Sequence, residues 1–264
     1  MTLPEPVKRF WYAAMALGRR MEPTPWGAVA TDDRFPLVWD ANSAAVLEPD
    51  VVTTAAGIRE VLHPALAAAG APYEHVEFWE TSVQGSLLEE FRREADVPDP
   101  DVVMVSEGVP PDAEPSEVRV EEMTRPDSVF WPWYRDSLRE FGMALSEEVL
   151  DQMVRRTREV LLPAGLRWFV GHLEGRPAGY ASLISLQGVG YLDNVVTVPE
   201  LRRRGVAAAC VAAAVRTGTE AGDRLVFLLA ERDGNPQRLY ERMGFRTVAP
   251  VESFTTPLGS EVRS

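Results

Sequence analysis

Apolar residues along the chain recur with two periods, and the changes between them mark the predicted elements. In the first half, the spacing over residues 5–20, 55–69 and about 83–94 gives each segment one apolar helical face. Apolar runs at 36–47, 73–78 and 101–106 predict strands. The second half opens with a strand at 118–123 and helices at 130–141 and 146–161. Ser146 is the expected N-cap of the latter, because acidic residues fill the turn after it. Segments 167–172 and 179–185 flank the turn Glu174-Gly175-Arg176-Pro177 and predict a hairpin, with 190–198 as its neighbour. An alanine-rich helix at about 203–221 precedes the strand 225–230, whose apolar character on both faces places it inside a sheet covered by helices. A short helix ending near Met243 and a strand after Gly244 close the pattern.

This alternation predicts an α/β (α+β) architecture in two parts. The run Val-Pro-Pro-Asp-Ala-Glu-Pro-Ser at 109–116 concentrates proline and acid after an apolar strand, so the expected domains are 1–115 and 116–264. A chain of 264 residues is long enough for two small cores. Its 45% hydrophobic and 25% charged residues exclude a disordered or fibrous class. No apolar run approaches the roughly 20 residues that cross a bilayer, and the first ten residues lack a signal-like stretch, so a cytoplasmic protein is expected. Arginine outnumbers lysine so heavily, Lys8 being the sole lysine, that a GC-rich bacterial source is expected. The single cysteine, Cys210, excludes internal disulfides and lies where helix packing is its natural role.

The net charge of −13 is unevenly held. Residues 1–115 carry 8 basic and 20 acidic side chains, whereas 116–264 carry 19 and 20. An acidic surface disfavours nucleic acid and anionic membranes as partners and leaves a cationic amine or a second copy of the chain open. His63, His75 and His172 are scattered, and with no metal-ligand spacing in sight each is read as structural or surface; no metal is expected.

The stretch with most chemical content is 191–215, Tyr-Leu-Asp-Asn-Val-Val-Thr-Val-Pro followed by Glu-Leu-Arg-Arg-Arg-Gly and the alanine helix. A strand that turns through arginines and glycine into a helix leaves amide hydrogens unpaired at the helix start, backed by the positive end of its dipole. Gly205 permits close backbone approach and Ala207 and Ala208 leave room, so the turn suits a pyrophosphate.

These residues resemble the GNAT acetyltransferases, whose cofactor turn Gln/Arg-x-x-Gly-x-Gly/Ala is matched by Arg202, Gly205 and Ala207, and whose Val/Thr-x-Pro signature is matched by Thr197 and Pro199. About thirty residues on, Leu239-Tyr240-Glu241-Arg242-Met243-Gly244-Phe245 is similar to the family's second signature. The resemblance covers about 117–257 and implies a GNAT fold with a mixed, mostly antiparallel sheet. It also implies acetyl-CoA as co-substrate, with pantetheine along Val195, Val196 and Thr197, and pyrophosphate at Arg203, Arg204, Gly205, Val206, Ala207 and Ala208. The family often places an asparagine seven residues before the tyrosine; here that position is Asp233, with Asn235 the nearest asparagine and the assigned residue.

Carried over, Tyr240 is the general acid for the leaving thiolate, and Asp193 the general base for the amine. Asp193 is chosen because the two-residue strand period puts it on the side of Val195 and Thr197, with Glu231 as the alternate. The aromatic cluster Phe130, Trp131, Trp133 and Tyr134 falls where relatives border the acceptor pocket. The front half, lacking the cofactor turn, is expected to be a degenerate GNAT-like or accessory domain that binds no acetyl-CoA and covers the acceptor side. The expected activity is acetyl transfer to a primary amine of a small molecule by direct attack in a ternary complex. Acetylation of a protein or peptide, and a non-catalytic CoA-binding regulator, are the alternatives.

Overall fold

A computed structural model describes residues 2–48, 51, 53–79, 85–94, 97–108, 117–141 and 145–258. The expected linker at 109–116 lies outside them. Two compact units form, one from Met1–Val103 together with Val248–Ser264, the other from Met104–Thr247. The division therefore differs from a single cut at 115, because the end of the chain returns to the first unit.

The first unit contains α1 (Glu5–Met15), β1 (Arg20–Thr24), β2 (Gly27–Thr31), β3 (Ser43–Val46), α2 (Ala55–Ala69), β4 (Tyr73–Trp79), α3 (Gly85–Glu94) and most of β5 (Val97–Ser106). β1, β2 and β3 are antiparallel; β4 then pairs parallel to β3 across α2. Helix α2 follows its apolar spacing, burying Ile58, Leu62 and Leu66 at four-residue intervals, and ends on Gly70 in the left-handed conformation. These residues pack with Val76, Phe78, Phe91 and Phe254 in one core. Two expectations are corrected here. The helix begun at Glu5 stops at Met15, and β1 and β2, which proline and glycine concealed, follow it. The expected strand 36–47 is a 3₁₀ turn, Trp39–Ala41, before β3. Asn42 holds that turn in place by donating to the carbonyls of Phe35 (2.9 Å) and Val38 (3.0 Å).

The second unit contains β6 (Arg119–Met123), α4 (Phe130–Ser137), α5 (Glu147–Arg156), β7 (Arg167–Leu173), β8 (Arg176–Leu186), β9 (Val189–Thr197), α6 (Val206–Glu220), β10 (Val226–Glu231) and α7 (Asn235–Arg242). Ser146 caps α5, its hydroxyl accepting from the Val149 amide at 3.3 Å. Strands β6 to β9 are antiparallel and β10 lies parallel to β9, with α6 as the crossover. In both units a run of three antiparallel strands, β1–β3 in the first and β7–β9 in the second, is followed by a helix, a parallel strand and a helix. The last strand, β11 (Arg246–Pro257), pairs antiparallel with β4 from Val251 to Pro257, which is why it belongs to the first unit. Among the described residues no helix is long and apolar enough to cross a membrane.

Close approach of α6 to the sheet depends on small residues. A Cβ on Gly171 would lie 2.8 Å from the Cys210 sulfur, and one on Gly179 would lie 2.4 Å from the Val196 carbonyl oxygen. Gly179→Ala is therefore expected to lose about 2 kcal/mol of stability through overpacking, read as a lower denaturant midpoint at unchanged slope. Cys210 is fully buried, and burial pushes its thiol pKa up to about 12. A disulfide reagent at pH 8 should find no reactive thiol in the folded chain and one after denaturation.

Candidate active site

Strands β9 and β10 begin side by side and then part. Their parallel pairing runs through Gly190–Val226, Tyr191–Phe227 and Leu192–Leu228 and stops there. On the other side of β9 the register with β8 shifts: Ser182 faces Asp193 while Tyr180 faces Val196, so β9 carries one extra residue. Asn194 absorbs it in the left-handed conformation, at φ 49°. Such a bulge bends the strand and re-aims its side chains. The backbone of Val195–Thr197 leaves β10 with its polar groups turned to an opening.

The chain then passes a 3₁₀ turn at Pro199–Leu201 and places Arg203 and Gly205 at φ 64° and 80°. The helix expected from 203 starts at Val206 for this reason. Gly205 is its N-cap and has no side chain to satisfy the first amides. The corresponding helix of the first unit shows the contrast: Thr54 caps α2, its hydroxyl taking the Gly57 amide at 3.0 Å. The donors at the start of α6 are left for a ligand, whereas one at the start of α2 is used internally.

These parts enclose a cavity of about 870 Å³, within the range of small-molecule sites. Of the residues proposed from the sequence, Val195, Val196, Thr197, Arg203, Gly205, Val206, Ala207, Ala208, Asn235 and Tyr240 line it. Arg204 turns away: its guanidinium pairs with Glu174 at 2.9 Å and Glu117 at 3.6 Å, so only its backbone faces the turn. Asp233, at φ 63°, does not line the cavity; its amide donates to the Gln237 side chain at 2.7 Å. The sequence reading did not assign Arg238, Leu239 and Arg242, which also line the cavity. Their spacing from Asn235, at i+3, i+4 and i+7, is one face of α7, and a helical-face reading of 235–242 finds them. With Arg202 and Arg203 they make four arginines around the opening.

Tyr240 is 6% exposed, and among the described residues its hydroxyl has no hydrogen-bond partner. Burial raises its pKa, and the nearby Asp193 carboxylate adds to the rise. Asp193 also adds to the raised pKa of buried Tyr180, after burial and Tyr134; the Tyr180 hydroxyl bonds Ser137 at 2.6 Å. The bulge changes the argument for Asp193. It shares a face with Val196 and Tyr180, not with Val195 and Thr197, and it does not line the cavity. Its two oxygens accept from the Asn194 amide (2.8 Å) and side chain (2.6 Å). Glu231, at the exposed end of β10, also lies outside the cavity lining. The aromatic residues of α4 pack inward: Phe130 stacks on Tyr134 and meets Trp168 edge-on at 5.1 Å, and Trp133 meets Tyr180 at 5.3 Å.

The second unit thus combines a mixed sheet with one opened strand pair and, beside it, a helix N-terminus without a side-chain cap. The sequence model of the acetyltransferase (GNAT) family matches residues 127–245, the greater part of the second unit. Among solved structures, a conserved protein of unknown function from Staphylococcus epidermidis is similar over 91% of this chain and 94% of its own, with TM-score 0.73 at 14% identity. A GCN5-related N-acetyltransferase from Kribbella flavida is similar over 98% and 97%, with TM-score 0.67 at 16% identity. A tandem GNAT protein from the clavulanic acid biosynthesis pathway is similar over 83% and 77%, with TM-score 0.53 at 16% identity. These likenesses concern the fold. No curated protein is matched by the sequence.

Gly205→Glu should weaken acetyl-CoA binding at least a hundredfold by calorimetry, since it sets a carboxylate at the anion site. Gly205→Asn, which tolerates the left-handed conformation, should keep the fold and most of the affinity.

Proposed function

We propose that the chain transfers an acetyl group from acetyl-CoA to a primary amine of a small molecule, both substrates being bound together. The observation that carries this reading is the uncapped start of α6 opening into a cavity ringed by arginines and floored by the Tyr240 phenol. In this reading the amides of Gly205–Ala208 and the guanidinium of Arg203 hold the pyrophosphate, with the Arg204 amide beside them. The backbone of Val195–Thr197 and the side chain of Asn235 hold the pantetheine arm. Bound acetyl-CoA supplies an acyl group activated as a thioester.

Tyr240 then faces the sulfur. A phenol whose pKa is raised above its ordinary value, about 10, is a weaker acid than a thiol near 8.5, so complete proton transfer to the thiolate runs uphill. Its role is to donate a hydrogen bond as negative charge grows on sulfur, with the proton following from solvent or from the amine. Because the raised pKa keeps the proton on, this donor persists through neutral pH and is lost only well above the ordinary tyrosine range of about 10. Asp193, which lies outside the cavity lining but close enough to Tyr240 to raise its pKa, is the proposed proton acceptor for the amine, reached through water. Proximity and orientation supply most of the acceleration, and no covalent enzyme species is needed.

Tyr240→Phe should leave acetyl-CoA affinity within about threefold and lower kcat by about a hundredfold. A thiol-release assay over libraries of small amines and of peptides decides among the readings. Release with amines alone is expected. Release confined to peptides replaces the metabolite reading, and no release with either, while acetyl-CoA still binds, replaces catalysis by a regulatory role.

A further inference from the structure

The first unit brings together three side chains that lie far apart in the sequence. His75 and Glu77 project from one face of β4, two residues apart, and Asp40 comes from the 3₁₀ turn Trp39–Ala41. One ligating atom of each lies within 4.8 Å of the other two. His75 is buried and Glu77 nearly so, with side chains 6% and 12% exposed, while Asp40 faces solvent.

The surroundings orient two of these groups. Thr255, directly opposite His75 in the β4–β11 register, places its hydroxyl 2.8 Å from Nδ1. Glu77 Oε2 accepts from two indoles, Trp11 at 2.9 Å and Trp79 at 3.2 Å. The remaining atoms, His75 Nε2 and Glu77 Oε1, face each other at 3.6 Å, beyond hydrogen-bond range. Among the described residues no lysine or arginine pairs with Glu77, and Nε2 has no hydrogen bond. The Trp39 ring lies beside the imidazole, with ring centroids 6.4 Å apart and planes inclined by 29°.

We propose that Asp40, His75 and Glu77 form a site for a divalent transition-metal cation of the zinc type. An imidazole with two carboxylates is a borderline N/O donor set suited to such an ion. In tetrahedral coordination at 2.0–2.2 Å, neighbouring ligand atoms lie roughly 3.4 Å apart, which the His75–Glu77 separation already meets. Asp40, exposed on a short turn, closes the third distance, and water completes the shell. The contacts to Thr255, Trp11 and Trp79 are the outer-shell hydrogen bonds that fix ligand orientation at metal centres. The two carboxylates bring a charge of −2, which a divalent ion cancels beside the buried imidazole and the partly buried Glu77. The bound ion would fasten the Trp39–Ala41 turn to β4. The site is independent of the acetyl-CoA cavity, every residue of which belongs to the second unit.

The test is titration of the full chain with Zn²⁺ by calorimetry, and with Co²⁺ by visible absorption, after chelator treatment and dialysis. One equivalent of Zn²⁺ and the absorption of low-symmetry Co²⁺ are expected. His75→Gln and Asp40→Asn should each weaken Zn²⁺ binding at least tenfold, and Thr255→Val about tenfold, while His63→Gln leaves it unchanged. Circular dichroism confirms that the variants fold; Asp40→Asn, at an exposed position, decides the matter if His75→Gln does not. Absence of saturable binding, or binding that survives both Asp40→Asn and His75→Gln, overturns the proposal. So does loss of binding in His63→Gln with His75→Gln unaffected.

Discussion

The separation of β9 from β10 is the constraint on which the second unit's cavity depends. Parallel strands joined by a helix ordinarily keep pairing to their ends, since an unpaired amide or carbonyl inside a protein is unfavourable by about 1–3 kcal/mol. Here pairing ends at Leu192, and the bulge at Asn194 turns the following backbone outward. The groups left unpaired lie at the cavity wall, where a ligand with amides of its own can bond them. The opening is therefore a polar site created by withholding hydrogen bonds from the sheet.

The same economy governs the start of α6. A helix can satisfy a first amide with a side chain, as α2 does with Thr54 and α5 with Ser146. Gly205 provides a left-handed backbone and no acceptor, so the donors remain available to an anion. Gly171 and Gly179, under the helix, let it lie close to the sheet, so that Val206 packs against β7 and β8 while the turn stays at the strand opening. Packing and binding are thus set by the same few small residues.

The two units share a strand and helix order but differ in what their helix starts offer. The first unit has the capped α2 where the second has the uncapped α6. It also carries most of the acidic excess and buries several charged groups through dedicated partners, such as Glu74 held by Arg59 at 2.9 Å and by His63. The two units thus set different polar groups on a similar order of elements, since fold and site answer to different residues.

The elements with strong periodicity were legible from residues alone: α2, the N-cap of α5, the β7–β8 hairpin, the doubly buried β10, and the arginine-glycine turn with its downstream tyrosine. Local rules suffice there, because periodicity, capping and left-handed glycine act within a few residues. The three-dimensional structure alone decided what depends on pairing between distant segments. The bulge at Asn194 overturned a strict two-residue alternation and moved Asp193 to another face. β11 joined β4, across some 170 residues of chain, and redrew the domain boundary. Asp40, His75 and Glu77 met only when a 3₁₀ turn was laid beside a strand. Register, bulges and cross-chain encounters are settled by the whole core finding its closest packing, and no window of sequence contains that information.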